Sequence, residues 1–243
     1  HAAVGYHNRH NNKNSLGQNY QARPFTTLTS IRFVGTSPAT TTGASGTGIA
    51  AYGDQIFAAE LAGIWGSFNA VAEAQLVKVD AVNPTDVLSG GQAASGFTRL
   101  AQDPTFFSAY GEVGYWFTGE SRGYKAGKWD RTKIVNPFDK GGWGGFQLVG
   151  RVDYLNLTQY VGASTPTSSL VTGGTLNGGS QLGYLVALNW WPTDYVRFTS
   201  QFIRSDITGG PSAAAVDPTS LLTPVYDRNY SVNAFVMRAQ LDF

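Results

Sequence analysis

Cysteine is missing from the 243 residues, methionine occurs once, and only 14% of the chain is charged. Without thiols there is neither a disulfide scaffold nor a thiolate metal site. A soluble domain usually carries about 25% charged residues, so something other than ionic side chains must cover this surface. The chain also lacks any run of about 18 apolar residues, the length a membrane-spanning helix needs; its richest stretch, residues 182–191, is interrupted by Gly183 and Asn189. Charge of one sign is lacking too, because 17 Lys and Arg against 16 Asp and Glu leave a net charge of +1. Such a balance does not suit affinity built on phosphate neutralisation, so no nucleic-acid partner is expected. His1 is not followed by a basic segment and an apolar core of the signal-peptide kind, so the expectation is that any secretion signal has been removed or was never part of this sequence. What is plentiful is apolar (42%) and aromatic (13%) side chains together with 30 glycines, too much hydrophobic surface for a disordered chain and a length that suits one all-β domain.

The hydrophobic pattern has period two. Phe235, Met237, Ala239, Leu241 and Phe243 are apolar, with Arg238, Gln240 and Asp242 between them. Alternation recurs at Leu182, Tyr184, Val186, Leu188 and Trp190; at Phe146, Leu148, Gly150, Val152 and Tyr154; at Ala109, Gly111, Val113, Tyr115 and Phe117; and at Phe57, Ala59, Leu61, Gly63 and Trp65. Opposite faces of a strand alternate in this way, so these segments are expected to be strands. Weaker alternation at residues 2–9, 25–34, 70–79 and 196–207 brings the expectation to about nine strands. In the last of these, Arg204 would face the wrong side unless a bulge intervened.

Connection lengths alternate as well. Residues 66–69 and 191–194 read as tight turns, whereas residues 35–54, 82–107, 158–180 and 208–229 are long and rich in Gly, Ser, Thr and Pro. Short turns at one end and long loops at the other are the pattern of a bacterial outer-membrane barrel. A sheet can cross hydrocarbon only by closing on itself, with apolar residues outward and polar ones toward a wet lumen, and this accounts for the low charge. Trp65, Phe68, Tyr154, Tyr184, Trp190, Trp191 and Tyr195 lie at strand ends, where aromatic girdles are expected. A soluble β-sandwich also alternates, but its exposed face should carry more Lys and Glu than these strands do.

Residues 112–125 (EVGYWFTGESRGYK) and 140–157 (KGGWGGFQLVGRVDYLNL) resemble the phosphate-selective porin family, as do LNWWP at 188–192, IRSD at 203–206 and the closing MRAQLDF at 237–243. Upstream, RPFTTLTSIRFVGT at 23–36 and AAELAGIWGSF at 58–68 fit the same pattern. The resemblance implies an all-β transmembrane antiparallel barrel in the outer membrane, part of a trimer of sixteen-stranded barrels, passing small anions and surrounded by lipid and lipopolysaccharide. It places residues 1–243 in the C-terminal part of one barrel domain. The N-terminal strands, and with them the family's inward-folded constriction loop, are expected to have no counterpart here. A final aromatic such as Phe243 resembles the sorting signal of such barrels and would end on the periplasmic side. Counting back through about nine strands puts His1 outside, whereas bacterial single-chain barrels have an even strand number.

The strand faces give Arg9, Arg32, Glu60, Glu73, Glu112, Arg151, Asp153, Arg197, Arg238 and Asp242 as lumen candidates, a wall of both signs that suits a diffusion pore. Residues 122–140 carry the strongest local bias: Arg122, Lys125, Lys128, Arg131, Lys133 and Lys140 outnumber Asp130 and Asp139. This stretch is expected on the periplasmic side, as a hairpin or a segment folded into the pore mouth. Lys125, Lys128, Arg131, Lys133, Arg151, Arg197 and Arg238 are the expected anion-attracting residues, the lysines on the strength of the resemblance. The alternatives are a solvated loop for residues 122–140 and, for the whole chain, a scaffolding barrel that binds envelope partners through its loops. No cofactor is expected. All three histidines, His1, His7 and His10, fall within the first ten residues and no G-x-S-x-G elbow occurs, so neither a hydrolase nor a metal site is expected. His7 and His10 read as rim residues.

Overall fold

The computed structural model describes residues 1–23, 31–37, 48–90, 92–94, 96–165, 170–213 and 223–242. Its long strands are β1 (Ala2–His10), β2 (Ile49–Trp65), β3 (Phe68–Ala81), β4 (Thr105–Trp116), β5 (Gly145–Tyr160), β6 (Thr175–Thr193), β7 (Val196–Thr208) and β8 (Asn229–Leu241). They form an antiparallel meander in which every strand pairs with its neighbour in the chain. Period-two alternation decides the faces. Val4, Phe57, Leu61, Leu76, Val113, Leu148, Val186, Phe202, Phe235 and Met237 all stand exposed on the outward side. Among the described residues β1 and β8 are the two edges of the sheet and do not pair with each other.

The expected strand at residues 25–34 falls largely outside the described residues. Residues 24–30 lie outside the described residues, residues 31–33 carry no strand, and Val34–Gly35 pairs only with Gln21–Ala22. β1 instead pairs directly with β2, with Ala2 opposite Leu61. His1 therefore lies at the turn end, the same end as Asp242, and not outside as the count of nine implied.

Rows of directly opposed residues slope across the wall. Arg204, far up β7 from the turn at Asp194 and Tyr195, faces Tyr184, and the row continues through Val152, Gly111 and Ala72 to Leu61, close to the Gly66 turn. This is the stagger of tilted barrel strands. It also settles Arg204. The β7 register is unbroken from Phe198 to Thr208, so no bulge turns Arg204 inward, and it pairs outward with Asp206 at 2.9 Å. The tilt lifts this end of β7 toward the membrane interface, where an outward charge costs little.

The turn end carries an aromatic band. Trp65 and Phe68 lie 5.9 Å apart, and Phe146, Trp190 and Phe198 stack in sequence at 6.2 and 5.4 Å. Trp191 is not part of it, because the residue after an outward Trp190 must point inward.

The inner face is divided in two. Its loop half is apolar, contrary to the simple expectation of a polar lumen: Val79, Phe106, Leu157 and Ile207 are buried there with Val34, Leu100 and Leu170 from the connections. Parts of the β1–β2 connection, within residues 11–23 and 31–37, fold onto this face. Tyr20 packs on Phe106 at 5.0 Å, and Phe33 reaches Tyr230 of β8 at 6.0 Å. A segment folded onto the lumenal face therefore exists among the described residues. It is anchored on the buried Asp54, which accepts from Arg9 Nε at 3.1 Å and from the Tyr20 hydroxyl. Burial and the neighbouring Asp54 carboxylate push that hydroxyl well above its ordinary range, so Tyr20 remains a donor.

At the opposite end residues 117–144 connect β4 to β5. They contain a hairpin of Tyr124–Lys125 and Lys128–Trp129 whose turn residues Ala126 and Gly127 both have positive φ, 50° and 81°, the geometry of the tightest hairpin turns. The segment rejoins the wall at Gly144, where φ is +79° and an added Cβ would lie 2.3 Å from the Trp191 carbonyl oxygen. Gly144→Ala is expected to destabilise the folded protein by about 1–3 kcal/mol, seen as a lower urea midpoint with an unchanged slope.

Candidate pore-lining site

The turn half of the inner face is polar, and residues 117–144 fold against it. Between them lies a cavity of about 1020 Å³ lined by Arg122, Arg131, Arg151, Arg197 and Arg238, with Glu112, Asp130 and Asp242 as its carboxylates. Five cations face three anions there, in a chain whose total charge is +1. Alternation within β5, β7 and β8 delivers Arg151, Arg197 and Arg238, while the long turn-end connection supplies Arg122 and Arg131.

The arginines are not equivalent. Arg151 pairs with Asp153 at 2.7 Å and Glu112 at 3.7 Å, and its guanidinium lies 3.7 Å from the Tyr110 ring centroid. Arg122 reaches Glu112 at 3.4 Å and covers Trp129 at 3.9 Å. Arg131 sits over Tyr195 at 4.4 Å. For Arg122 and Arg151 the alternative of charges that stiffen the wall is well represented. Arg131, Arg197 and Arg238 form no ion pair among the described residues. Arg197 donates from Nη2 to Gln240 Oε1 at 2.6 Å, and Gln240 donates to Asp242 at 2.8 Å. A cation held by a neutral amide keeps its field directed into the cavity.

A row of neutral groups crosses the same wall. Thr199 donates to Asn189 at 2.6 Å, Asn189 to Gln147 at 3.1 Å, and Gln147 to Asn69 at 3.4 Å. The row passes over β4 at Gly114, where an added Cβ would come within 3.0 Å of both the Asn69 and Gln147 amides. The absent side chain lets amides from β3 and β5 meet.

Of the seven anticipated residues, Arg131, Arg151, Arg197 and Arg238 are brought together in this cavity. Lys125, Lys128 and Lys133 are exposed on the turn-end segment and do not line it. Lys125 and Lys128 are held on the hairpin, whose Tyr124 hydroxyl meets His1 Nδ1 at 2.6 Å while His1 Nε2 meets Glu60 at 2.7 Å. Arg9, a lumen candidate, is engaged with Asp54 instead, and Arg32 lies outside any strand. Sequence reasoning missed the neutral row and Trp116 and Trp191 as lining residues. The parity of Trp191 relative to Trp190 is the signal that could have found the latter.

An antiparallel meander with an apolar outer face, an aromatic band at its turn end and an arginine-rich inner cavity has the architecture of an outer-membrane barrel wall. The chain belongs to the family described as phosphate-selective porin O and P, whose pattern matches residues 1–243. Members of this family are porins of the bacterial outer membrane. The chain is also similar to an uncharacterized protein of Caulobacter vibrioides, at 36% identity over 142 residues. That match covers 58% of this chain and 24% of the relative, so the chain spans about a quarter of the relative's length.

Proposed function

We infer that the chain forms part of the wall of a water-filled outer-membrane pore through which small hydrophilic solutes diffuse, with anions preferred and inorganic phosphate among them. The observation that carries this reading is the cavity with five arginines and three carboxylates, three of those arginines without an ion pair among the described residues. Weak contacts at several cations lower the free energy of an anion without trapping it, which conduction requires. Lys125, Lys128 and Lys133 extend the positive field to the turn-end approach, where charge acts on access more than on affinity. A spanning sheet has no free edge in hydrocarbon, so both β1 and β8 are paired in the membrane, within a barrel that assembles as a trimer among lipid and lipopolysaccharide.

Reversal potentials in planar bilayers under a KCl gradient test the reading. Anion preference is expected, and cation preference would overturn it. Substitution of Lys125, Lys128 and Lys133 by Glu should reduce anion conductance at low salt by several-fold and little at 1 M, where the Debye length falls to about 3 Å. The apolar cap on the loop half of the inner face favours one second reading, a closed scaffolding barrel. Absence of conductance, with a partner retained through detergent extraction, would establish that reading instead.

A further inference from the structure

Trp143 is the most exposed tryptophan of the chain, at 81%, and Phe138 and Val135 are 61% and 59% exposed. All three fall within residues 135–143, the part of the turn-end connection that leads into β5. Large apolar side chains gathered in so short a segment are costly to leave in water. The backbone around them is already fixed. The Ile134 amide donates to Asp194 Oδ1 at 2.7 Å and the Val135 amide to Glu120 Oε1 at 3.2 Å. At the other end the Gly144 amide donates to the Asn136 carbonyl at 2.9 Å, and the Gly142 amide to the Pro137 carbonyl at 3.0 Å. An added Cβ at Gly142 would lie 2.1 Å from the Asn136 carbonyl oxygen, so the loop is closed tightly on itself. Ile134 packs inward and is buried, while the other three apolar residues stay in the open.

The place of the loop on the wall indicates what covers them. The Trp143 carbonyl accepts from Nε1 of Trp190 at 2.8 Å, and Trp190 stacks between Phe146 and Phe198 in the outward aromatic band. Trp143 is three residues from Phe146, a reach of about 10 Å. The loop therefore adjoins the lipid-facing side of the wall at the turn end, the level of the headgroup layer. Lys133 and Lys140 are exposed beside it, with Asp139 the one carboxylate between them. Trp, Phe and Lys together are the composition that settles in a headgroup layer. A protein partner fits less well, since a stable interface takes about 20–30 residues a side and is depleted in Lys and Asp. We propose that residues 135–143 are an interfacial anchor whose Val135, Phe138 and Trp143 insert into the phospholipid headgroup region of the leaflet at the turn end. The anchor ties to the bilayer the same connection that supplies Arg122 and Arg131 to the cavity. It goes beyond the pore reading and needs only the outer-membrane location, not conduction.

Because the chain has no cysteine, one introduced thiol carries one nitroxide label. Asp139→Cys reports beside Phe138, Lys128→Cys on the exposed hairpin is the aqueous reference, and Val186→Cys on the outward face of β6 is the lipid reference. The protein is reconstituted in vesicles of phosphatidylcholine and phosphatidylglycerol, and collisions of each label with molecular oxygen and with a water-soluble nickel chelate are measured by electron spin resonance. The oxygen-to-nickel ratio at Asp139→Cys is expected to exceed that at Lys128→Cys at least about threefold, toward the value at Val186→Cys, because oxygen concentrates in the bilayer and the chelate is excluded from it. Adding Phe138→Ser and Trp143→Ser should return the ratio to the aqueous reference, and both residues are exposed, so the fold is kept. A ratio equal to that at Lys128→Cys in the unaltered segment puts the loop in water and overturns the anchor. Few collisions with either reagent mean that protein covers the loop, which overturns it as well, and an unchanged ratio in the Ser variant overturns the part given to the two rings. A cation-selective or silent channel with a high ratio at Asp139→Cys overturns the pore reading and leaves the anchor standing.

Discussion

Replacing Arg197 and Arg238 together by glutamate is expected to abolish anion preference and reverse it, with the anion-to-cation permeability ratio falling at least about tenfold, or roughly 1.4 kcal/mol. The reason lies in what these two side chains lack. Arg122 and Arg151 already share Glu112, and Arg151 also holds Asp153, so much of their field is cancelled within the wall. Arg197 is held by the neutral amide of Gln240, and Arg238 has no ion pair among the described residues. Each substitution changes the local charge by two units. A pair of unit charges about 4 Å apart is worth roughly 1 kcal/mol in water and more near a protein wall, so the combined change exceeds the tenfold threshold even with screening. The matched control is Arg151→Gln, which frees Asp153 and part of Glu112 and should shift selectivity in the same direction but less. Reversal potentials at two salt concentrations measure both variants, and equal effects would show that pairing does not rank these arginines.

The second large effect is structural. Phe106→Ala should lower stability by about 3–5 kcal/mol, the cost of emptying a large aromatic site in a packed core. Phe106 is 2% exposed and lies on the inner face of β4, where Tyr20 of the folded-in connection packs on it. It belongs to a protein-covered core, unlike the exposed outward Phe107 beside it, so its loss opens a cavity against Tyr20. Denaturant midpoints in detergent should fall accordingly, whereas Phe107→Ala should change little, since lipid tails replace its ring at small cost. Loosening the covering segment should also raise single-channel conductance, provided that the segment narrows the path. Lost stability with unchanged conductance would mean that the ion path avoids the loop half of the lumen.

The two arguments draw on different parts of what could be read in advance. Alternation in β2 and β4 to β8 was legible because one face meets lipid and the other does not, and a period of two survives only when both faces are under pressure. It failed in the loop half, where apolar inward residues such as Val79 and Ile207 are covered by chain from elsewhere. The lysines of residues 122–140 stood out as a charge run, but their exposure on the hairpin follows from a tight turn and its anchoring on His1 and Trp129, contacts far apart in sequence or dependent on local geometry.

By itself the sequence determined the class of the protein: all-β, outward-apolar, barrel-forming, with arginines on the inner side of β5, β7 and β8, because strand parity is a local property and lipid selects for it along every strand. Only the tertiary structure decided which of those arginines are neutralised, which half of the lumenal face is covered, and that Trp116 and Trp191 meet beside Arg197. These outcomes depend on stagger between strands and on two long connections folding back across the wall, and neither leaves a periodic mark in the chain.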